Sequence, residues 1–278
     1  MGRRLIKLPT PQGVGAGQTA TVRIPLGPTY DHFFLELFNA TSSGDATVIA
    51  MTDERMKSSI GEIRLIVDGD TKIRGDASFM LARAGFFGMP AVAGSLPIFL
   101  ASPWARTMGG EDSTSYGTAG GSMATFTLEV DFKDAAITPA MQVYSRQSDP
   151  KAFGTHVRIQ PYSDNFGFTG EHEMAGIPAL GPHRLLNLDI TSDNVGSVEV
   201  LANNVQQYKS SPIIRDYLLK VSKRVPVSGF THIDFIAENR MDDSMPLALN
   251  DFRTKVDFTS APNAFTIYAT TIQNDNIR

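Results

Sequence analysis

Apolar and polar residues alternate strictly near the middle of the chain, and the same pattern returns at its end. The alternation runs from Phe126 to Lys133 and again from Phe252 to Thr259, with the letters Val-Asp-Phe in the same phase. A period of two residues is typical of a half-buried β-strand. Each segment then passes a proline, Pro139 or Pro262, and enters a second alternating run. The pattern therefore predicts a closing pair of strands in each half.

Earlier segments of the two halves match in the same order. Gly61–Gly75 contains two strand-like runs around an Asp-Gly pair, which is a strong hairpin signal. Gly196–Ser210 contains two such runs around Asn203 and Asn204, and asparagine tolerates a positive φ. We therefore predict a β-hairpin at this place in each half.

A helix is predicted after each hairpin. In Asp76–Gly88, Asp76 is a candidate N-cap, and in Ser210–Lys223 the N-cap is Ser211 with Pro212 at the first helical position. The second helix carries one apolar stripe, typical of an amphipathic helix. Its members are Ile213, Ile214, Tyr217, Leu218 and Val221.

The remaining segments complete the repeat. After the helices come the strand-like runs Leu96–Ser102 and Thr231–Ala237, and before the hairpins Val22–Ala40 parallels Gly176–Ser192. We predict an all-β protein made of two tandem eight-stranded jelly rolls, a double jelly roll, each with a short helix. The alternative is that generic alternating strands agree by accident.

The domain boundaries follow from this repeat. We predict an N-terminal arm over residues 1–17, a first jelly roll over 18–150 and a second over 151–278. The first half has longer insertions, at about Thr41–Gly61 and Pro103–Ser122. The second insertion is rich in Gly, Ser and Thr, which predicts a long exposed loop.

Composition narrows the functional classes. Of 278 residues, 42% are hydrophobic and 19% are charged, so we expect a folded chain with a sizeable core. A formal net charge of −4 and a pI near 5.7 argue against a dedicated nucleic-acid binder, because phosphate contacts need a basic surface. There is no cysteine, which excludes disulfides, thiolate metal sites and a cysteine nucleophile.

Two segments are candidates for a signal peptide and for a membrane-spanning helix, either of which would indicate the cellular location of the protein. The N-terminal segment has arginines but no apolar core or cleavage site, so we do not expect a signal peptide and do expect maturation in a cytoplasm. Ala84–Ala105 carries no charge and is long enough to span a bilayer. Its three prolines and three glycines from Gly85 to Pro103 favour a buried loop leading into a strand over a membrane helix.

No catalytic constellation is found. The letters Ser-x-x-Lys at Ser148–Lys151 and Ser-Asp-Asn at Ser163–Asn165 suggest an acyl-serine enzyme, but Pro150 disfavours the helical turn that would bring the Ser and Lys together. No histidine has another within two residues. In Glu171–Glu173, alternation places both glutamates on one face and His172 on the other, which spoils a three-ligand metal site.

Two acidic pairs are candidate calcium ligands. They are Asp68 and Asp70 around the first hairpin turn, and Asp242 and Asp243 in the second half. Neither pair has the spaced acidic loop that makes a calcium prediction specific, so turn chemistry is the default interpretation. We expect no cofactor.

Five segments, spread over most of the chain, carry a resemblance to a known family. They are Val22–Leu37 (VRIPLGPTYDHFFLEL), Glu62–Asp70 (EIRLIVDGD), His183–Asn204 (HRLLNLDITSDNVGSVEVLANN), Arg215–Lys220 (RDYLLK) and Thr231–Asn239 (THIDFIAEN). With these segments, a tandem of two jelly rolls without an active site resembles the major capsid protein of membrane-containing icosahedral bacteriophages of the double jelly-roll lineage, most closely the corticovirus type.

The resemblance implies a structural role in a virion, assembled in the host cytoplasm. It implies a homotrimer of pseudo-hexagonal outline tiled over an internal lipid membrane, with neighbouring capsomers, penton proteins and minor membrane-associated capsid proteins as partners. By the same resemblance the N-terminal arm faces inward, which makes Arg3, Arg4 and Lys7 candidate contacts for lipid headgroups. The alternative for these three residues is a disordered terminus without a lipid contact. The alternatives for the whole protein are a carbohydrate-binding or spike protein built from β-sandwiches, and a metal-dependent bicupin-like enzyme.

Overall fold

The computed structural model describes residues 3–40, 48–105, 107–133, 138–175, 177–236 and 239–274. The strands of the first half are β1 Arg4–Lys7, β2 Thr19–Arg23, β3 Thr29–Ala40, β4 Val48–Ala50, β5 Ile60–Val67, β6 Asp70–Asp76, β7 Ser95–Phe99, β8 Tyr116–Gly117, β9 Phe126–Phe132 and β10 Pro139–Ser148. Its helices are α1 Asp53–Ser59, α2 Ala77–Phe86 and α3 Met108–Asp112.

The second half has the same kinds of element. Its strands are β11 Thr155–Phe166, β12 Gly170–Ala175, β13 Arg184–Ile190, β14 Val195–Ala202, β15 Val205–Ser210, β16 Thr231–Asp234, β17 Met245–Pro246, β18 Phe252–Phe258 and β19 Asn263–Asn274. Its helical segments are α4 Pro212–Val221 and a short 3₁₀ turn, Met241–Asp243.

Contacts between residues divide the chain into two compact units. The first comprises residues 1–84, 89–103 and 111–157, and the second comprises residues 85–88, 104–110 and 158–278. The main division lies between Val157 and Arg158, inside β11, a few residues after the predicted boundary at 150/151. The last two residues of α2, Gly85 and Phe86, belong to the second unit although they precede most of that unit in the sequence.

The two units have matching sheets. In the first unit one sheet has the order β2–β9–β5–β6, and the other has β1–β10–β3, with β4, β7 and β8 also paired to β3. In the second unit the corresponding orders are β12–β18–β14–β15 and β11–β19–β13–β16, with β17 also paired to β13. Eight strands and one helix thus recur at equivalent places, which confirms the predicted tandem jelly rolls.

The predicted N-terminal arm contains the first strand of the first roll. β1 pairs antiparallel with β10 from Arg4 opposite Gln147 to Lys7 opposite Tyr144, which is the place that β11 takes beside β19. The backbone N–H of Leu8 also donates to Val143 at 2.8 Å. A four-residue strand with basic residues at both ends lacks the alternation that identifies longer strands, so the sequence pattern missed it.

The core has the predicted phase. In both β9 and β18 every second side chain is buried and the intervening ones are half-buried. Phe126, Phe132, Phe252 and Phe258 are each 3% exposed or less. Burial of a side chain of this size stabilises a fold by about 1.5–3 kcal/mol, so these strands are principal contributors to the two cores.

The turns and one helix cap also follow the prediction. Asp68 and Gly69 have φ of 50° and 83°, and Asn203 and Asn204 have φ of 49° and 62°. Positive φ at both central residues is the conformation of the type I′ turn, which is common in two-residue hairpins. At the start of α2 the carboxylate of Asp76 accepts a hydrogen bond from the backbone N–H of Phe79 at 2.7 Å, as an N-cap does.

The insertion at 103–122, predicted to be an exposed loop, contributes to the core of the first unit. Tyr116 is fully buried, and β8 pairs with β3, with Gly117 opposite Thr29. The hydroxyl of Tyr116 donates to the carbonyl of Val157. The small residues that make this segment resemble a loop permit a close backbone approach: a Cβ on Gly117 would lie 2.4 Å from the carbonyl oxygen of Ala152.

We predict that Gly117→Ala destabilises the protein by about 3 kcal/mol, because backbone atoms must move to accommodate the methyl group. Gly154→Ala is the matched control, since a Cβ there has no heavy atom within 4 Å. We expect the control to change stability by less than about 0.5 kcal/mol. Urea unfolding of both variants measures the difference, and equal midpoints would contradict the buried packing of this segment.

Candidate assembly surfaces

The basic N-terminal residues lie on the outer edge of a sheet in the first unit. β1 is the end strand of its sheet and pairs with β10 alone among the described strands. All four of its residues are exposed, Leu5 at 65% and Ile6 at 41%. Unpaired strand edges are sites at which other chains can associate, and flanking charges such as Arg4 and Lys7 limit uncontrolled association.

Arg3 is held by carboxylates of its own unit. Its Nη1 lies 2.6 Å from Glu111 Oε1, its Nη2 2.5 Å from Asp112 Oδ1 and its Nε 3.6 Å from Asp31 Oδ2. The hydrogen bond to Glu111 raises the pKa of Arg3 above its usual value, although burial opposes it. The positive charge of Arg3 is therefore compensated by its neighbours, whereas no described residue forms an ion pair with Arg4 or Lys7 on β1.

The Arg3 cluster fixes the start of β1 to α3. Asp31 is fully buried on β3, and burial raises the pKa of its carboxyl group. Ser148 donates to that carboxylate at 3.1 Å. A buried carboxylate is costly without an opposite charge or hydrogen-bond donors. The positive charge of Arg3 thus helps to stabilise the buried carboxylate of Asp31 in the first unit.

The first acidic pair serves the hairpin turn. The Oδ1 of Asp68 accepts hydrogen bonds from the backbone N–H groups of Ala124 and Thr125 at 2.8 and 2.7 Å. Asp70 forms an ion pair with the buried Lys72, with 2.8 Å between Oδ2 and Nζ. Both carboxylates therefore have partners within the first unit.

The second acidic pair lies on the exposed 3₁₀ turn of the second unit. Asp243 Oδ2 is 3.9 Å from the Nε of Arg240, and the carbonyl of Asp242 accepts a hydrogen bond from Arg184 at 2.9 Å. Within the described ranges, no three histidine or acidic side chains are grouped closely enough to hold a metal ion. Calcium binding at either pair stays a prediction.

We predict that Asp68→Ala lowers stability by about 1–2 kcal/mol, because two backbone donors lose their acceptor and alanine is strained at positive φ. Asp68→Asn is the matched control: its amide oxygen still accepts both bonds and asparagine tolerates this backbone conformation. Thermal unfolding with calcium or with EDTA should give the same order. A loss in Asp68→Asn equal to that in Asp68→Ala, together with calcium-dependent stability, would instead indicate a metal site.

The Glu171–Glu173 segment has the predicted phase and forms cross-strand ion pairs. It lies on β12 beside β18, where Lys255 Nζ is 3.4 Å from Glu171 and 3.7 Å from Glu173. His172 points to the opposite side and lies 2.8 Å from Asp164, and this hydrogen bond lowers the pKa of Asp164. The two glutamates and the histidine do not converge on one point.

The other segments considered for chemistry also have structural roles. Ser148 is the last residue of β10, and Lys151 follows in a loop where its Nζ donates to the carbonyl of Asp112 at 2.8 Å. The uncharged stretch 84–105 includes the end of α2 and all of β7. In the part of the chain that the structure describes, no helix has both the length and the apolar character needed to cross a bilayer.

The apolar stripe of α4 faces solvent. The side chains that the helix buries are those of Arg215 and Leu219. Arg215 Nη2 donates to the carbonyl of Val195 at 3.3 Å, and burial lowers the pKa of its guanidinium group. The predicted stripe is exposed along its length: Ile213 81%, Ile214 52%, Tyr217 65%, Leu218 47% and Val221 56%. A contiguous exposed apolar surface of this kind marks an interaction site.

A second apolar surface lies on the outer face of the first unit. It is a groove of about 450 Å³ on the sheet that contains β1, β3 and β10. Its lining includes Leu5, Phe34, Phe38, Val92 and Tyr144. We call it the β3 groove.

Sequence reasoning missed the β3 groove, although a signal was present. The run from Phe33 to Phe38 places large apolar residues in both phases of the strand. Phe33 is fully buried, whereas Phe34 and Phe38 are half-buried on the opposite face. A strand that is apolar on both faces is expected to be covered on both.

Comparison with known proteins identifies the family. The profile of the viral coat protein P2 N-terminal domain matches residues 5–148, and that of the viral coat protein P2 C-terminal domain matches residues 157–275. Together the two matches span nearly the whole chain. The chain belongs to the viral coat protein P2 family.

Solved structures agree on the fold. The major capsid protein P2 of bacteriophage PM2 is 19% identical with a TM-score of 0.86, and the alignment covers 98% of each chain. A chain in the atomic structure of Sulfolobus turreted icosahedral virus is 10% identical with a TM-score of 0.69 over 98% of this chain and 91% of that one. The PBCV-1 virus capsid gives 8% identity and a TM-score of 0.66 over 98% and 93%. A search of curated protein sequences finds no significant match.

Membership of this family explains why the sequence offers no catalytic constellation. The coat protein is a structural component of a virion capsid and is not an enzyme. Such a protein works by self-assembly with neighbouring capsomers, so its functional residues lie on association surfaces. The exposed edge of β1, the α4 stripe and the β3 groove are the candidate surfaces that the coat protein presents.

Proposed function

We propose that the coat protein forms homotrimers of pseudo-hexagonal outline that tile an icosahedral phage shell over an internal lipid membrane. The observation that carries this proposal is the duplication of one roll, with the same strand order, in a single chain. Three copies of such a chain present six similar rolls. A trimer can therefore fill a hexagonal lattice through repeated, similar contacts.

The mass of the purified protein tests the trimer. We expect light scattering after size-exclusion chromatography to give about three times the 30.2 kDa of the chain. Negative-stain images of the same fraction should show a six-lobed outline. A protein that stays a single chain at all concentrations, or that forms dimers only, would contradict the proposal.

We further propose that Arg4 and Lys7 contact anionic lipid headgroups on the inner side of the shell. Both side chains are exposed on β1, whereas the charge of Arg3 is compensated by Glu111 and its neighbours. A cation near an anionic membrane surface contributes about 1 kcal/mol. The alternative role of these two cations is to protect an exposed strand edge in solution.

Vesicle sedimentation tests the lipid contact. With vesicles containing phosphatidylserine at low salt, we expect Arg4→Ala/Lys7→Ala to bind roughly thirtyfold more weakly than wild type, because each of the two cations contributes about 1 kcal/mol. Lys57→Ala/Lys133→Ala, which removes two exposed cations outside β1, is the matched control and should retain most binding. Equal binding by the double variant and wild type would reject the lipid role and leave the trimer unaffected.

The remaining partners follow from lattice geometry. A hexagonal trimer cannot occupy a fivefold vertex, so we propose penton proteins at these positions and minor membrane-associated capsid proteins beneath the shell. We also propose assembly in the host cytoplasm. The absence of cysteine supports this compartment, because the fold needs no disulfide and is compatible with reducing conditions.

A further inference from the structure

Equivalent elements of the two rolls differ sharply in burial. No residue of α2 is exposed, and Phe79, Met80 and Phe86 are each 2% exposed or less. Eight of the ten residues of α4 are exposed, including five large apolar ones. The preceding strands show the same contrast, since β6 buries Lys72 and Ile73 whereas β15 is exposed over most of its length.

For the strands β3 and β13, which are equivalent in the two rolls, the second roll is the more buried one. β13 in the second unit buries all six residues from Leu185 to Ile190, so it is covered on both faces. Its equivalent β3 leaves Phe34, Glu36 and Phe38 half-buried on the outer face, where the β3 groove lies. Among the residues that the structure describes, the first roll therefore lacks a cover over this sheet, and the second roll lacks a cover over its helix.

In the second unit, the equivalent sheet surface is covered by the end of a helix. The last two residues of α2, Gly85 and Phe86, belong to this unit, and Phe86 stacks on His232 of β16 with ring centroids 4.2 Å apart. His232 lies opposite Asp189 of β13 and is hydrogen-bonded to it at 2.7 Å. The end of one helix thus covers the β13–β16 part of a sheet.

The register identifies the same place on the first unit. Asp189 lies opposite Tyr268 on β19, and Phe34 lies opposite Tyr144 on β10, so Phe34 takes the position of Asp189. Phe34 also lies opposite Pro97 of β7, and Asp189 likewise lies opposite His232 of β16. The β3 groove is therefore the site on the first unit that corresponds to the covered site on the second.

The helices α2 and α4 also occupy equivalent positions in the two rolls. α2 and α4 each have ten residues, and Phe86 is the last residue of the first as Val221 is of the second. Val221 is 56% exposed and ends the apolar stripe. In position along the repeat, Val221 is thus the counterpart of the residue that covers His232.

We propose that the α4 stripe of one copy docks into the β3 groove of a second copy, with Val221 over the surface formed by Phe34 and Pro97. The inference rests on the proposed trimer and assigns the surfaces that form it. The contact is head-to-tail, because the stripe lies on the second unit and the groove on the first. Repeated contacts of this kind close into a ring if the rotation between copies is one third of a turn.

Charge and area agree with this occupant. Glu36 lines the groove and Lys220 is exposed beside Val221, and none of the described residues forms an ion pair with either. Five exposed large apolar side chains present on the order of 500 Å² of accessible surface, near the upper range for a patch on a monomer. Such a patch is a substantial part of the roughly 800 Å² that each partner buries in a stable interface.

Cysteine cross-linking tests the contact without background, because the natural chain has no cysteine. Val92 lines the groove at 58% exposure, so the double variant Val92→Cys/Val221→Cys places one thiol on each proposed surface. A short bismaleimide should produce covalent two-chain and three-chain products from this variant. The matched control, Val92→Cys/Phe168→Cys, uses another exposed site on the second unit, 73% exposed in wild type, and should give none of these products.

Each other outcome decides a different question. A wild-type protein with the mass of three chains, combined with no cross-linking above the control, would reject these surfaces and leave the trimer standing. Cross-linking of the single variant Val221→Cys would show that α4 contacts another α4, which also rejects the head-to-tail contact. A wild-type protein with the mass of one chain would reject the proposed trimer together with this interface.

A charge placed in the stripe provides a second measurement. Tyr217→Asp should keep the fold of the chain, since Tyr217 is 65% exposed, and should weaken trimer association at least about tenfold. Phe168→Asp is the matched control and should leave association unchanged. Circular dichroism confirms folding of both, and equal association of the two variants would overturn the proposal.

Discussion

Burial of one face of every strand is the constraint on which both rolls depend. Successive side chains on a strand point to opposite faces, so a period of two assigns every residue to the core or to the outside. β9 and β18 bury the same phase, and the hairpins before them turn through residues with positive φ in both units. One sequence pattern, used twice, therefore produces two similar sandwiches.

The outer faces distinguish the two copies of the roll. Duplicated elements start with the same environment, yet α2 is buried where α4 is exposed, and β13 is covered where β3 has an open groove. In each chain, the helix of the second roll and the β3 sheet of the first roll therefore expose apolar surface, whereas the equivalent helix and sheet of the other roll are covered. For a capsid protein, these unmatched surfaces are a physical reason to assemble.

Much of the fold was predictable because it depends on local pattern. Alternation, the Asp-Gly turn and the Asp76 cap are properties of short segments, and the structure confirms them. The failures concern tertiary environment. The sequence shows the α4 stripe but cannot show which way it faces, and Tyr116 enters the core from a segment whose composition is typical of a loop. Arg3 is one of three nearby cations in sequence, and only its packing against Glu111 separates it from the others.

A cryo-electron microscopy structure of the assembled coat protein tests the central claim most directly, because it shows what covers α4. The account predicts Tyr217 and Val221 buried against Phe34 and Val92 of the adjacent copy, in a ring of three chains. An assembly in which the α4 stripe stays in solvent, or in which the β3 groove is covered by a different element, would contradict it.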